Sequence, residues 1–284
     1  MNRSKYLEVI KLKKYMIEMQ ENPQKNKYWP TTFRVLLFCI LCAIALAVSS
    51  GFIPGKKGSW FQLEAVVISA DVALPLTILF ARWEKIKLND VGIVPNRKSF
   101  SKYLTGLGVG LLLAALQPAL VLITGHVKLL PVPDISYNTV IAYFLLYLAI
   151  GVREEVAFRG YPLFSLNRAA GHWFALLVVG IIFIAEHIAG GMSVGAAIWG
   201  SGAGSLLFGF AALKTKGLAL PIGLHSAWNF GQWAFGFKNE TGPFHIIIEK
   251  GYEGRIEIIG WVSYLLVMGL AIFVMYNSWK KKIV

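Results

Sequence analysis

The chain has 284 residues, 56% of them hydrophobic, and a formal net charge of +13. Its mean hydropathy of +0.58 is carried by apolar runs long enough to cross a bilayer, with the basic residues between and outside those runs. That distribution excludes an ordinary soluble core, makes a nucleic-acid surface the poorer account of the charge, and points to a membrane protein whose cations meet anionic lipid.

Residues 1–33 are polar, with seven basic residues against three acidic ones. Val9, Leu12, Met16 and Met19 fall on one helical face, which suits an amphipathic helix lying on an anionic leaflet; a solvated tail is the alternative. The segment is too long, and its apolar positions too scattered, for the start of a signal peptide, so the first apolar run is expected to be retained. Cys39 and Cys42 lie inside that run and read as small apolar residues of a spanning helix rather than a redox pair; no disulfide framework is implied.

Eight candidate spans follow, near 35–53, 60–81, 103–124, 138–158, 173–191, 194–213, 217–237 and 256–277, each about the length that a hydrocarbon layer of roughly 30 Å demands. The expected fold is therefore all-α, a polytopic integral membrane helical bundle of about eight transmembrane helices. Residues 1–33 would form a basic cytoplasmic N-terminal segment, 34–278 a single transmembrane domain and 279–284 a basic cytoplasmic tail. Glu64 and Asp71 in the second span, and Gln117-Pro118 in the third, interrupt the apolar pattern but could be buried against other helices. The small residues from Gly195 to Gly204 should let the sixth span approach a neighbour closely.

Lysine and arginine in the connections set the orientation. Twenty-one fall on one side, in the tail, the 82–102 loop, the 153–172 loop, Lys214 with Lys216, and Lys280 to Lys282; six fall on the other, at Lys56, Lys57, Lys128, Lys238, Lys250 and Arg255. Both termini are thus expected in the cytoplasm, in a cell membrane. Trp29, Trp60, Trp83, Trp173 and Trp279 sit near span ends, as an aromatic belt requires.

The chemistry concentrates at Gly151-Val-Arg-Glu-Glu-Val-Ala-Phe-Arg159. Two carboxylates and two guanidinium groups at the end of a spanning helix are costly and mark a functional site. Glu155 and Arg159 are four apart and form an expected ion pair, which leaves Glu154 as the carboxylate free to face a cavity and act as a general base. His187 in the fifth span and His225 with Asn229 in the seventh supply imidazoles and an amide; the last two share a helix face and could hold an oxyanion, where one donor is worth roughly 3 kcal/mol. The same set also reads as a metal site, two histidines and a carboxylate around zinc or another divalent metal. Metal-bound water and water activated by Glu154 and His187 both remain open. Counted along straight helices from the cytoplasmic ends, Glu154 lies about 6 to 9 Å deep, His225 about 10 Å and His187 about 20 Å. Their meeting therefore requires the fifth helix to begin outside the bilayer or the fourth to run further than drawn. The site is expected to open to the cytoplasm, since Arg153 and Arg159 need water or partners.

Glu154-Glu155-x-x-x-Arg159, Phe183-x-x-x-His187 and His225-x-x-x-Asn229, in that order on separate apolar segments, resemble the CPBP family of intramembrane proteases, which includes the CAAX prenyl endopeptidases and relatives linked to bacteriocin processing and self-immunity. The resemblance covers about Ala149 to Phe230, within a core of about 138–237. It implies an intramembrane endopeptidase in which Glu154 and His187 activate water, His225 and Asn229 stabilise the oxyanion, Glu155 and Arg159 support the first helix, and Phe183 packs beside the site. Under the metal alternative, Glu154, His187 and His225 would be the ligands; the family is filed under metalloproteases, although a metal-free mechanism has been argued for the CAAX branch. Glu186 is an acid that the motif does not require. The implied partners are membrane lipids and a membrane-associated protein or lipopeptide substrate, CAAX-like where the host prenylates its proteins, with no nucleic acid. Two other classes stay in view: a non-catalytic immunity or scaffold protein, and a transporter, which the absence of an inverted repeat disfavours.

Overall fold

The computed structural model describes residues 28–51, 58–238 and 241–280. The amphipathic N-terminal stretch, Lys56, Lys57 and the last residues of the basic tail lie outside them. The described chain runs through α1 (Tyr28–Gly51), α2 (Ser59–Trp83), α3 (Ser99–Leu122), β1 (Val127–Pro131), α4 (Tyr137–Glu154), a π-helical turn (Glu155–Arg159), α5 (Tyr161–Ala170), α6 (His172–Ala189), α7 (Val194–Thr215), α8 (Ala219–Ala234), β2 (Phe244–Ile248) and α9 (Glu253–Lys280). It is a helical membrane bundle. Six helices, α1, α2, α3, α6, α7 and α9, are long and apolar enough to cross a membrane. The other two expected spans, on α4 and α8, are shorter or more polar because they carry the charged and amide residues of the candidate site.

The fourth span resolves the conflict of depths. Ser136 caps α4, its hydroxyl accepting from the Thr139 amide at 3.1 Å, and the helix runs through the π turn to Arg159; Gly160, at ψ −119°, breaks it before α5, which ends at Ala170. Gly171, at φ 85°, then turns the chain back into α6, which packs along α5. The ten residues of α5 thus lie between the π turn and that reversal, and Arg153 meets Glu186 at 2.6 Å, which places Glu154 and His187 at one level.

Small residues bring α3 and α8 together. Gly106, Gly110 and Ala114 on α3 recur every four residues and meet Gly223, Ala227 and Gly231 on α8; a methyl group at Gly106 or Gly223 would overlap the facing backbone, and one at Gly110 would lie 2.6 Å from the Leu224 carbonyl oxygen. Between helices in lipid, close van der Waals contact of this kind drives association. At one end of the bundle, β1 and β2 pair antiparallel with Leu129 opposite Ile246. Phe244, Ile246 and Ile248 turn inward while His245 and Ile247 face out, the alternation of a half-covered strand. At the other end, Phe38, Phe80, Phe158, Tyr161, Leu163 and Leu213 form part of a continuous apolar core.

Several expectations change. Glu64 and Asp71 are exposed rather than buried: the inward stripe of α2 is Ala65, Ser69, Ala73, Thr77 and Phe80, and both acids fall off it. Gln117 is buried and contacts the Gly260 carbonyl at 3.5 Å. In the Gly195–Gly204 run only Gly202 sits tightly, 3.2 Å from Ile184 for an added Cβ, whereas Ala196, Gly200 and Gly204 line a cavity. Trp279 is only 8% exposed and packs on His172 and Phe210, so it belongs to the core instead of the aromatic belt. Gly223→Val is expected to force α3 and α8 apart and lower stability by about 2 kcal/mol, in the range of an overpacked core; a fall in the unfolding midpoint of the detergent-solubilised protein checks this.

Candidate active site

The π turn from Glu155 to Arg159 re-aims the residues that follow Glu154, and such turns recur at functional sites. All five of its residues are buried. Glu155 Oε1 lies 3.3 Å from Arg159 Nη1 and 2.8 Å from His225 Nδ1, while Glu154 Oε2 lies 3.6 Å from His225 Nε2. The two consecutive carboxylates therefore approach the two nitrogens of one imidazole. The His225 ring is stacked on Phe208, with centroids 4.4 Å apart and planes 13° apart, which fixes its orientation. Gly151 makes room for this meeting, since a side chain there would strike the Ser226 hydroxyl beside His225.

The expected Glu155–Arg159 ion pair is present. Arg159 lies over the Phe183 ring, its guanidinium carbon 4.3 Å from the centroid. Phe183 in turn touches the His187 ring at 4.4 Å and offers its carbonyl to His187 Nδ1 at 2.8 Å. With Nδ1 so occupied, Nε2 is the nitrogen left for other chemistry.

Glu154 is not unpaired, as elimination had suggested. Its Oε1 accepts from Arg153 Nη2 at 3.1 Å, and the same nitrogen donates to Glu186 Oε1 at 2.6 Å. Arg153 is buried, so its partners are carboxylates rather than water. Glu154 Oε2 and Glu155 Oε2 are both buried with no hydrogen bond, and Glu154 Oε2 is the one that approaches His225 Nε2. Both His187 and His225 act on Glu154 electrostatically. Glu186, the acid outside the motif, is thus tied to the site through Arg153.

His187, His225, Asn229 and Phe183 line a cavity of about 560 Å³, within the usual range for binding pockets. Its walls are mostly apolar, from Val121, Met192, Phe208, Trp228, Ile256 and Met268. It reaches the sheet end of the bundle, where Lys238, Ile246, Glu253 and Glu257 line it. Tyr264 on α9 donates to the Gly200 carbonyl at 2.6 Å, fastening α9 to the second π turn, Ala197–Ser201, along one wall. The cavity thus opens at the end opposite Lys280. A cytoplasmic mouth and cytoplasmic termini, both expected from the sequence, exclude one another.

Lys238 is the residue that the motifs missed. Its ammonium donates to Asn229 Oδ1 at 2.8 Å and lies 4.8 Å from the Tyr147 ring centroid. The residue as a whole is exposed, but its ammonium is drawn in among protein groups, and desolvation pulls it down to about 8 against the opposing attraction of Glu154. Nothing in the spacing of Lys238 from Asn229 signals this, because a turn and not a helix connects them.

The metal alternative finds no ligand shell. Among the described residues no group of three histidine, cysteine or acidic side chains is placed to hold an ion. A carboxylate on His225 Nδ1 is the support that a metal-bound imidazole commonly has, but the guanidinium on Glu154 and the lack of a group of three among the described residues leave Glu154, His187 and His225 short of a zinc shell in this arrangement.

Residues 136–231 match a family described as type II CAAX prenyl endopeptidase Rce1-like. The stretch begins at the cap of α4 and ends within α8, so it holds all three motifs. The recognition drawn from those motifs stands, and at family level the matched stretch is that of a protease. No curated protein matches the chain.

Breaking one half of a buried ion pair costs about 3 to 5 kcal/mol because the other charge stays buried, far more than the 0.2–0.5 kcal/mol of an exposed helical pair. Arg159→Met is therefore expected to destabilise the protein by about 3 kcal/mol, and Glu155→Gln with Arg159→Met to be more stable than Arg159→Met alone. Chemical denaturation of the three proteins in one detergent measures both differences.

Proposed function

We propose, from the Rce1-like stretch at residues 136–231, that the protein is an intramembrane endopeptidase hydrolysing a peptide bond of a membrane-associated, lipidated substrate through water activated by Glu154 and His187. The observation that carries this reading is the convergence of Glu154 and Glu155 on His225, with His187, His225 and Asn229 on the wall of one cavity.

Glu154 Oε2, lacking a hydrogen-bond partner, and His187 Nε2 are the acceptors available to a water molecule. Glu154 takes a proton as the water oxygen attacks the carbonyl carbon, and passes it to the amide nitrogen as the C–N bond breaks; the products are a carboxylate and an amine. His225 and Asn229 donate to the oxyanion. For His225 this requires hydrogen on Nε2 while Nδ1–H is given to Glu155. Around the ring three carboxylates, Glu154, Glu155 and the half-buried Glu186, face two guanidinium groups, Arg153 and Arg159, an arrangement that favours a cation at this position. Lys238 holds Asn229 Oδ1, which turns the amide N–H groups toward the oxyanion. Glu155, Arg159 and Phe183 position His225 and His187 without touching substrate.

Cleavage of quenched fluorescent lipopeptides by the purified protein tests the assignment. Glu154→Gln should lower kcat by at least a thousandfold and His187→Ala by at least a hundredfold, both with intact fold; wild-type activity in Glu154→Gln sinks the general-base role. A non-catalytic immunity protein would keep its function in Glu154→Gln.

Lys238→Met should lower kcat about tenfold with little change in KM, since it loosens an oxyanion donor rather than a binding contact. The wild-type rate should fall as pH rises through about 8 and Lys238 loses its proton, and the variant should lack that limb. Stability moves the opposite way. The folded value lies below that of free lysine, so protonation disfavours the fold, and stability is gained as pH rises from about 8 toward the ordinary lysine range.

A further inference from the structure

Two features of the bundle fix which side of the membrane the site serves. The first is the placement of the cavity. From His187 and His225 it runs to the sheet end, where Lys238, Glu253 and Glu257 line it and are exposed. In the other direction the way is closed by Phe158, Tyr161, Leu163 and Phe183, all buried in the main apolar core. The second is the placement of cations. Arg82, Lys85, Lys87, Arg97, Lys98, Lys102, Arg168, Lys214, Lys216 and Lys280 lie at the closed end, in or beside its helix connections. The sheet end has only Lys128, Lys238, Lys250 and Arg255 among the described residues. Arg153 and Arg159, counted among the loop cations from sequence, are buried in the site and drop out of the comparison; the asymmetry survives without them.

The excess of lysine and arginine marks the cytoplasmic end, so the closed end faces the cytoplasm and the cavity mouth faces away from it. We propose that the site is served from the extracytoplasmic face, and that its substrate is an exported, lipid-anchored peptide lying in the outer leaflet rather than a cytoplasmic protein with a lipidated C-terminus. This rests on the endopeptidase reading for its substrate, but not for its orientation. The cavity chemistry agrees with such a substrate. Apolar walls accept side chains or a lipid chain, and Glu253 with Glu257 at the mouth favour a peptide that carries a cationic group beside its apolar stretch.

Single cysteines settle the orientation without reference to activity. In a Cys39→Ala/Cys42→Ala background, Tyr137→Cys reports the sheet end and Arg97→Cys the opposite end; both positions are exposed. Lys128→Cys and Lys98→Cys form a second pair should either of the first fail to fold. A membrane-impermeant maleimide applied to intact bacterial cells should label Tyr137→Cys at least tenfold faster than Arg97→Cys, with the difference lost after permeabilisation. The reverse preference, or equal labelling in intact cells, overturns the proposal.

A fluorogenic acylated peptide carrying a lysine, added outside sealed spheroplasts, then tests the substrate. Cleavage without permeabilisation is expected, and cleavage only after permeabilisation overturns the assignment to exported peptides. Outward labelling combined with no cleavage of any lipopeptide by the solubilised protein would instead sink the endopeptidase reading and leave the orientation standing.

Discussion

The imidazole of His225 is shared by two carboxylates that are neighbours in sequence, Glu155 at 2.8 Å on one nitrogen and Glu154 at 3.6 Å on the other. Everything near the cavity depends on that meeting. A helix of regular pitch turns successive side chains about 100° apart, so residues 154 and 155 diverge. Here the divergence lets them reach opposite nitrogens of the same ring. Three supports hold the ring in place: Phe208 stacked against its face, Arg159 anchoring Glu155, and Gly151 admitting the shoulder of α8.

Charge of this density inside a bilayer is tolerated only when each group has a partner. Arg153 bridges Glu154 and Glu186, and Arg159 pairs with Glu155 over the face of Phe183. Glu154 Oε2 and Glu155 Oε2 are left without a hydrogen bond, as are Arg153 Nη1 and Arg159 Nε and Nη2, and buried orphans of this kind mark a place where function outweighs local stability. Glu154 does not itself line the cavity but lies behind His225, which does. The scaffold that holds the cluster is built from contacts without polarity. Glycines and alanines every four residues lock α3 to α8, and α8 carries His225 and Asn229 from that fixed base.

Much of the bundle was legible because lipid enforces a simple rule: apolar runs of about twenty residues become helices. The eight expected spans fall on eight described helices, six of them long and apolar enough to cross a membrane, and the three motifs fall on α4, α6 and α8. What stayed hidden was set by contacts across the bundle. The π turn after Glu154 and the break before α5 leave no periodic mark, so straight helices placed Glu154 and His187 at different depths. Glu154 looked unpaired because its partner, Arg153, is its immediate neighbour, and i, i+1 side chains on a regular helix do not face each other. Glu64 and Asp71 looked buried only under the assumption that acids in a span must turn inward; the four-residue stripe from Ala65 to Thr77 carries the contacts of α2 instead. Arg153 and Arg159 looked like loop cations and proved to be core residues. The expected orientation rests on a count of charges alone, but the direction of the cavity needed three dimensions.

The account turns on whether this cluster splits a peptide bond with water. Mass spectrometry of a lipidated peptide library incubated with the purified protein in oxygen-18 water tests that most directly. The account predicts pairs of fragments in which each new C-terminal carboxylate carries one oxygen-18 atom, and no such fragments from Glu154→Gln. Fragments of equal yield from both proteins, or an intact library with both, would contradict it.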